Sequence, residues 1–272
     1  MYLEKRAHMT QSLCRRFALI AAISFVLAGC SESFAATDAE DEQQAQQAQL
    51  APEQRDPALR LARASRAAGD LASSINLYRG VTAMKPADPA IMIELGDTLL
   101  QAGGVDDAID AYNQVPETSN ARLGALLGLE RAYFALGEFG KELEYADKAV
   151  ALAPNDEKAL IGCGVALDSL DRHEEAQTYY RTVIAATPHN LAARNDLALS
   201  LALSGKFEEA IEIMTSIARS TTSTPRTRQN LALIYGLMGE RERAKELSLV
   251  DLSPSDTEAN LQFFDLVRSA SK

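Results

Sequence analysis

The chain has no tryptophan, and aromatic residues fill only 6% of its 272 positions. β-Branched residues are sparse beside abundant Ala and Leu, which argues for helices and against a sheet. Three cysteines (Cys14, Cys30 and Cys163) are too few for a disulfide framework. An excess of basic charge is also missing: 27 Lys and Arg stand against 38 Asp and Glu, a net charge of −11. Nucleic acid is therefore not an expected partner, because gripping its backbone takes a clustered basic surface. The apolar run from Phe17 to Leu27 has eleven residues, short of the roughly 20 that cross a bilayer.

Motifs for chemistry are missing too. There is no P-loop and no GxSxG. Gly162-Cys163-Gly164 begins a GxG, but Leu167 stands where a third glycine is needed. The three histidines (His8, His173 and His189) are scattered. His173 with Glu174 and Glu175 lacks an HExxH partner, so it reads as a solvated turn rather than a metal site. The expectation is a protein with no catalytic centre, no metal, no cofactor and no small-molecule substrate.

What is present begins with an address. Lys5, Arg6, Arg15 and Arg16 precede the short apolar run, and small residues follow it, as in a secretory signal. Leu27-Ala28-Gly29-Cys30 resembles the lipobox of bacterial lipoproteins. The resemblance implies lipidation of Cys30 and cleavage before it, with Ser31 favouring the outer membrane, facing the periplasm. Several acyl chains hold firmly where one holds only marginally. Loss of residues 1–29 leaves 23 basic and 37 acidic residues, a net charge of −14. Met9 offers a second workable start. Residues 30–54 are polar and Ala/Gln-rich after the Cys and read as a disordered tether.

From Arg55 onward one unit recurs. Pro154 and Pro188 are 34 residues apart, and Pro86 precedes Pro154 by 68. Gly69, Gly103, Gly137, Gly205 and Gly239 share a column, with Asp171 in the remaining slot. Ala108, Ala176, Ala210 and Ala244 share another, replaced by Ser74 and Glu142 in two repeats. Tyr78, Tyr112, Tyr180 and Met214 form a third. This pattern is the tetratricopeptide (TPR) signature. It predicts an all-α, right-handed TPR α-solenoid of six helix-turn-helix repeats over 55–254. Residues 255–272 supply a capping helix and tail, with Ser255 and Asp256 as N-terminal caps and Leu261, Phe264, Leu266 and Val267 near one face. Leu61, Leu95, Leu129, Cys163, Leu197 and Leu231 are expected on the buried stripe of the first helices.

In TPR proteins the first helices line a concave groove. Here Arg63, Asp97 and Arg131 fall in one column, beside Arg60, Arg66 and Glu94. They make either a charged peptide groove or a ladder of ion pairs, Arg63 with Asp97 with Arg131. Further on, Asn195 and Leu199 correspond to Gln229 and Leu233, with Asn230 alongside and Leu203 and Leu237 continuing the strip. An apolar strip between amides suits a bound peptide; packing against the cap helix is the plain alternative.

The last stretch narrows the reading. Arg228 to Gly239 (RQNLALIYGLMG), Asp251-Leu-Ser-Pro254 and Ala259-Asn-Leu-Gln-Phe-Phe264 resemble the C-terminal part of TadD-type lipoproteins of the Tad/Flp pilus system. The resemblance implies a non-enzymatic scaffold that helps a secretin or other pilus and secretion components assemble, in the manner of a pilotin. The alternative is a TPR lipoprotein adaptor that regulates peptidoglycan enzymes.

Overall fold

The computed structural model describes residues 57–84, 88–219 and 224–270. The signal segment, Cys30, the tether and Pro86 lie outside them. The described residues form thirteen α-helices and no strand. They divide in sequence between Ala166 and Leu167 into two compact units.

The first unit holds α1 (Pro57–Ala67), α2 (Leu71–Met84), α3 (Pro89–Gln101), α4 (Val105–Asn113), α5 (Arg122–Ala135), α6 (Phe139–Leu152) and α7 (Glu157–Ser169) as far as Ala166. The second continues with α8 (His173–Ala186), α9 (Leu191–Leu203), α10 (Phe207–Ala218), α11 (Pro225–Met238), α12 (Arg241–Ser248) and α13 (Pro254–Ala270). Odd-numbered helices from α1 to α11 are the first helices of repeats, and even-numbered ones the second.

The turn within every repeat closes in the same way. The six column residues take the left-handed conformation, with φ between +71° and +99° at the glycines and 61° at Asp171. The next backbone N–H then reaches back five residues. Asp70 donates to Ser65, Gly104 to Leu99, Glu138 to Tyr133, Arg172 to Leu167, Lys206 to Leu201 and Glu240 to Tyr235, all at 2.8–3.0 Å. Glycine reaches this conformation without steric cost, and the paired bonds satisfy carbonyls at the helix end. Pro154 and Pro188 end second helices, since Ala153 and Thr187 before them leave the helical region, with ψ of 79° and 85°.

The columns are the core. Leu95, Leu129, Cys163, Leu197 and Leu231 are buried, as are Ala108, Ala176, Ala210 and Ala244. Ser74 is fully buried in the Ala column, and its Oγ donates to the Ala62 carbonyl at 2.8 Å. Glu142 fills the same column in the third repeat, also fully buried.

Three expectations are corrected. Leu61 is 55% exposed. In the next repeat Leu95 shares a cleft with Arg79 and Thr82 of α2, the preceding second helix; no described helix precedes α1 to cover Leu61. Leu266 is 58% exposed, so the buried face of α13 is carried by Leu261 and Phe264. The cap of α13 is Ser253, whose Oγ accepts from Asp256 N at 3.2 Å and donates to Asp256 Oδ2 at 2.7 Å. Pro254 takes the first helical position and leaves the cap to the residue before it. Pro116 also shortens α4, yet Val115 remains buried beyond its end, and its carbonyl accepts from Arg122 at 3.2 Å.

Candidate protein-binding groove

In the first unit the tyrosine column positions the charges of the first-helix face. The Tyr112 ring lies between α3 and α5, where both helices carry glycine. A Cβ on Gly96 or Gly128 would stand 2.5 Å or 2.4 Å from its Cε1. The hydroxyl emerges on the first-helix face and donates to Asp97 Oδ1 at 2.6 Å, and Arg131 donates to the same oxygen at 2.8 Å. One repeat earlier, Tyr78 donates to Glu94 at 2.7 Å, and Arg63 grips that carboxylate through Nε at 2.8 Å and Nη2 at 2.5 Å. Burial, followed by the adjacent carboxylate, pushes both tyrosine hydroxyls up, so they remain protonated donors.

Half of the expected ion-pair ladder therefore forms with a different partner. Asp97 pairs with Arg131, but Arg63 takes Glu94. Arg66 turns to Gln101 at 3.4 Å. On the same face Ile93, Leu127, Ile161 and Val165 are half-buried.

Glu130 is the residue that motif reading missed. It is 7% exposed. Burial pushes its carboxyl up to about 7, against the field of Arg131. Nearby Cys163 is fully buried, with Sγ 3.7 Å from Asp147 Oδ1. Burial and then the Asp147 charge push the thiol up to about 12, which leaves it unreactive.

In the second unit Asp168 is the hub. His173 Nδ1 lies 2.7 Å from Oδ1, Ser200 Oγ donates to Oδ1 at 2.7 Å, and Tyr180 donates to Oδ2 at 2.9 Å. The His173 side chain is only 13% exposed, which corrects its reading as a solvated turn: α8 begins at His173 and the ring folds back onto α7. Ser, His and Asp meet here, but the serine hydroxyl donates to the carboxylate rather than to the imidazole. That is a structural knot and not a nucleophile–base pair. Among the described residues no three His, Cys, Asp or Glu side chains are grouped to hold a metal ion. No described helix is long and apolar enough to cross a membrane.

The later strip residues are largely turned on one another. Asn230 Nδ2 donates to Asn195 Oδ1 at 2.7 Å, and Asn195 donates to Asp196 at 3.1 Å. Gln229 donates to Asp251 at 3.2 Å, beside Arg228, which grips Asp251 at 2.9 and 2.5 Å. Leu199 is half-buried. Leu233 packs on the cluster of Ala244, Leu261 and Phe264, so it belongs to the cap contact. Phe264 lies over Gly236, where a Cβ would stand 2.4 Å from its Cδ2.

The family model described as tetratricopeptide repeat matches residues 59–122 and 164–223. Among curated proteins none matches the chain. A solved tetratricopeptide repeat protein from Parabacteroides merdae is 18% identical, with a TM-score of 0.63 over 79% of this chain and 88% of that one. A thermophilic TPR protein of Thermus thermophilus is 20% identical, with a TM-score of 0.57 over 65% of this chain and 96% of that one. Residues 59–122 and 164–223 thus match the tetratricopeptide repeat, and the fold of the described residues is the all-α fold of TPR proteins.

Proposed function

We propose that this chain is a lipid-anchored, protein-binding TPR scaffold of the bacterial envelope. It is held through Cys30 in the outer membrane and serves assembly of a Tad/Flp-type pilus or secretion system, in the manner of a pilotin for its secretin. The observation that carries the binding role is the first-helix face of the first unit. There Tyr78 and Tyr112 lock Arg63–Glu94 and Asp97–Arg131 in place beside half-buried Ile93, Leu127, Ile161 and Val165. Fixed charges around partly open apolar side chains suit a peptide segment, which needs apolar contact and oriented polar anchors. The lipobox supports the anchor, and the RQNLAL, DLSP and ANLQFF segments support the pilus assignment.

An affinity pull-down from cell envelopes, wild type against Cys30→Ala, tests this reading. Recovery of a secretin or pilus components with wild type, lost in Cys30→Ala, is the expected result. Recovery of peptidoglycan hydrolases without pilus components replaces the assembly role by an adaptor role. Membrane retention of Cys30→Ala overturns the lipid anchor.

A further inference from the structure

In five repeats Ala62, Gly96, Gly164, Ala198 and Ala232 occupy a small-residue column on the first helix. The third repeat has Glu130 there. The same repeat has Ala146 where four others carry Tyr78, Tyr112, Tyr180 or Met214; the sixth has Ser248. In this repeat the second helix carries the small residue and the first carries the large one, Glu130. Its carboxyl group reaches Gly162 on α7: the Cβ that Gly162 lacks would stand 3.4 Å from its Cδ and 3.5 Å from each oxygen. Gly162 lies in the column of Glu94, on the first-helix face. The acid thus sits between α5 and α7, where Tyr112 sits between α3 and α5 one repeat earlier.

The neighbouring acids on this face are neutralised. Glu94 has Tyr78 and Arg63; Asp97 has Tyr112 and Arg131. Among the described residues no hydrogen bond or salt bridge reaches Glu130; more than nine-tenths of the residue is buried, but its carboxylate oxygens are not among the fully enclosed atoms without a partner. Arg131 beside it is committed to Asp97. The repeat sets Val165, an apolar residue, in the α7 slot that corresponds to Arg131. A buried carboxylate without a donor is costly, and a cation brought to it removes that cost.

We propose that Glu130 is an anchoring subsite of the groove, where a lysine ammonium of a bound protein segment enters beside Gly162 and completes the pattern set by Arg63 and Arg131. The proposal rests on the peptide-groove reading. Lysine fits because its unbranched stem is slim enough to pass a residue without a side chain, and its ammonium brings three donors. The chain's net charge of −11 draws basic segments toward it. The carboxyl's shift toward neutrality, caused by burial, is the cost that such a cation reverses.

The test selects a displayed random 12-residue peptide library on the full chain, then measures the selected peptides on wild type, Glu130→Gln and Gly162→Ala. Glu130→Gln keeps the volume and removes the charge. Gly162→Ala adds a methyl at contact distance from the carboxylate and covers it. The expected result is enrichment of peptides sharing one lysine, with binding weakened at least tenfold by either variant while both keep wild-type helicity and neither is less stable than wild type. Equal affinity for Glu130→Gln, or for the arginine version of the peptide, overturns the lysine subsite and leaves the groove standing. Failure to enrich any peptide on wild type overturns the groove itself.

Discussion

At the scale of single residues, space decides the sign of one substitution. Gly80, inside α2, has nothing within 4 Å of an added Cβ, whereas an alanine Cβ at Gly128 would stand 2.4 Å from the Tyr112 ring. Gly80→Ala is expected to stabilise by about 0.5–1 kcal/mol through the unfolded chain. Gly128→Ala is expected to destabilise by about 1–3 kcal/mol through overpacking. Urea unfolding followed by circular dichroism separates the two. Protonation provides a second test. The carboxyl of Glu130 rises from 4.5 to about 7, and that of Asp196 from 3.8 to about 6, both through burial first. The folded state therefore binds more protons than the unfolded one between those values, so stability falls as pH rises through them. Glu130→Gln is expected to remove the part of the slope between about 4.5 and 7. An unchanged slope in thermal unfolding across that window contradicts the burial of this acid.

At the scale of elements, the repeated turn sets the expectation. Asp171 holds a left-handed φ of 61° where five repeats use glycine. Asp171→Gly is expected to stabilise the chain by about 0.5–1 kcal/mol, and Gly205→Ala to cost about 1 kcal/mol, by thermal unfolding. These turns, the helix pairs and the buried columns were legible because a 34-residue period exposes any position that recurs. Side-chain partners were less legible. A spacing of 34 suggests Arg63 with Asp97, but Arg63 reaches Glu94, 31 residues on, because the Tyr78 hydroxyl already fixes that carboxylate within its reach. The place of Glu130 is visible in sequence only as an exception to a column; packing alone shows its carboxyl beside Gly162. The cap of α13 is Ser253 rather than Ser255 or Asp256 because Pro254 starts the helix. Leu61 misled because a column predicts burial only where a neighbouring helix exists to supply it.

At the scale of the whole molecule, three sequence strings acquire a common cause. RQN, DLSP and ANLQFF lie far apart in the last repeat and its cap. Arg228 and Gln229 both hold Asp251, and Phe264 seats on Gly236 of the helix that carries Arg228. The strings belong together because they close the end of the second unit. The residues proposed to face a partner lie elsewhere, on the first helices of the first unit.

The turn and its spacing also bear on inheritance. Gly128 and Gly162 occupy the same column, and no insertion interrupts the frame between them. Loss of residues 123–156 in one recombination event would bring Gly162 to the place where Gly128 now admits the Tyr112 ring. The array could thus be shortened or lengthened by whole modules, through unequal crossing-over, while such a join still met a residue of the right size.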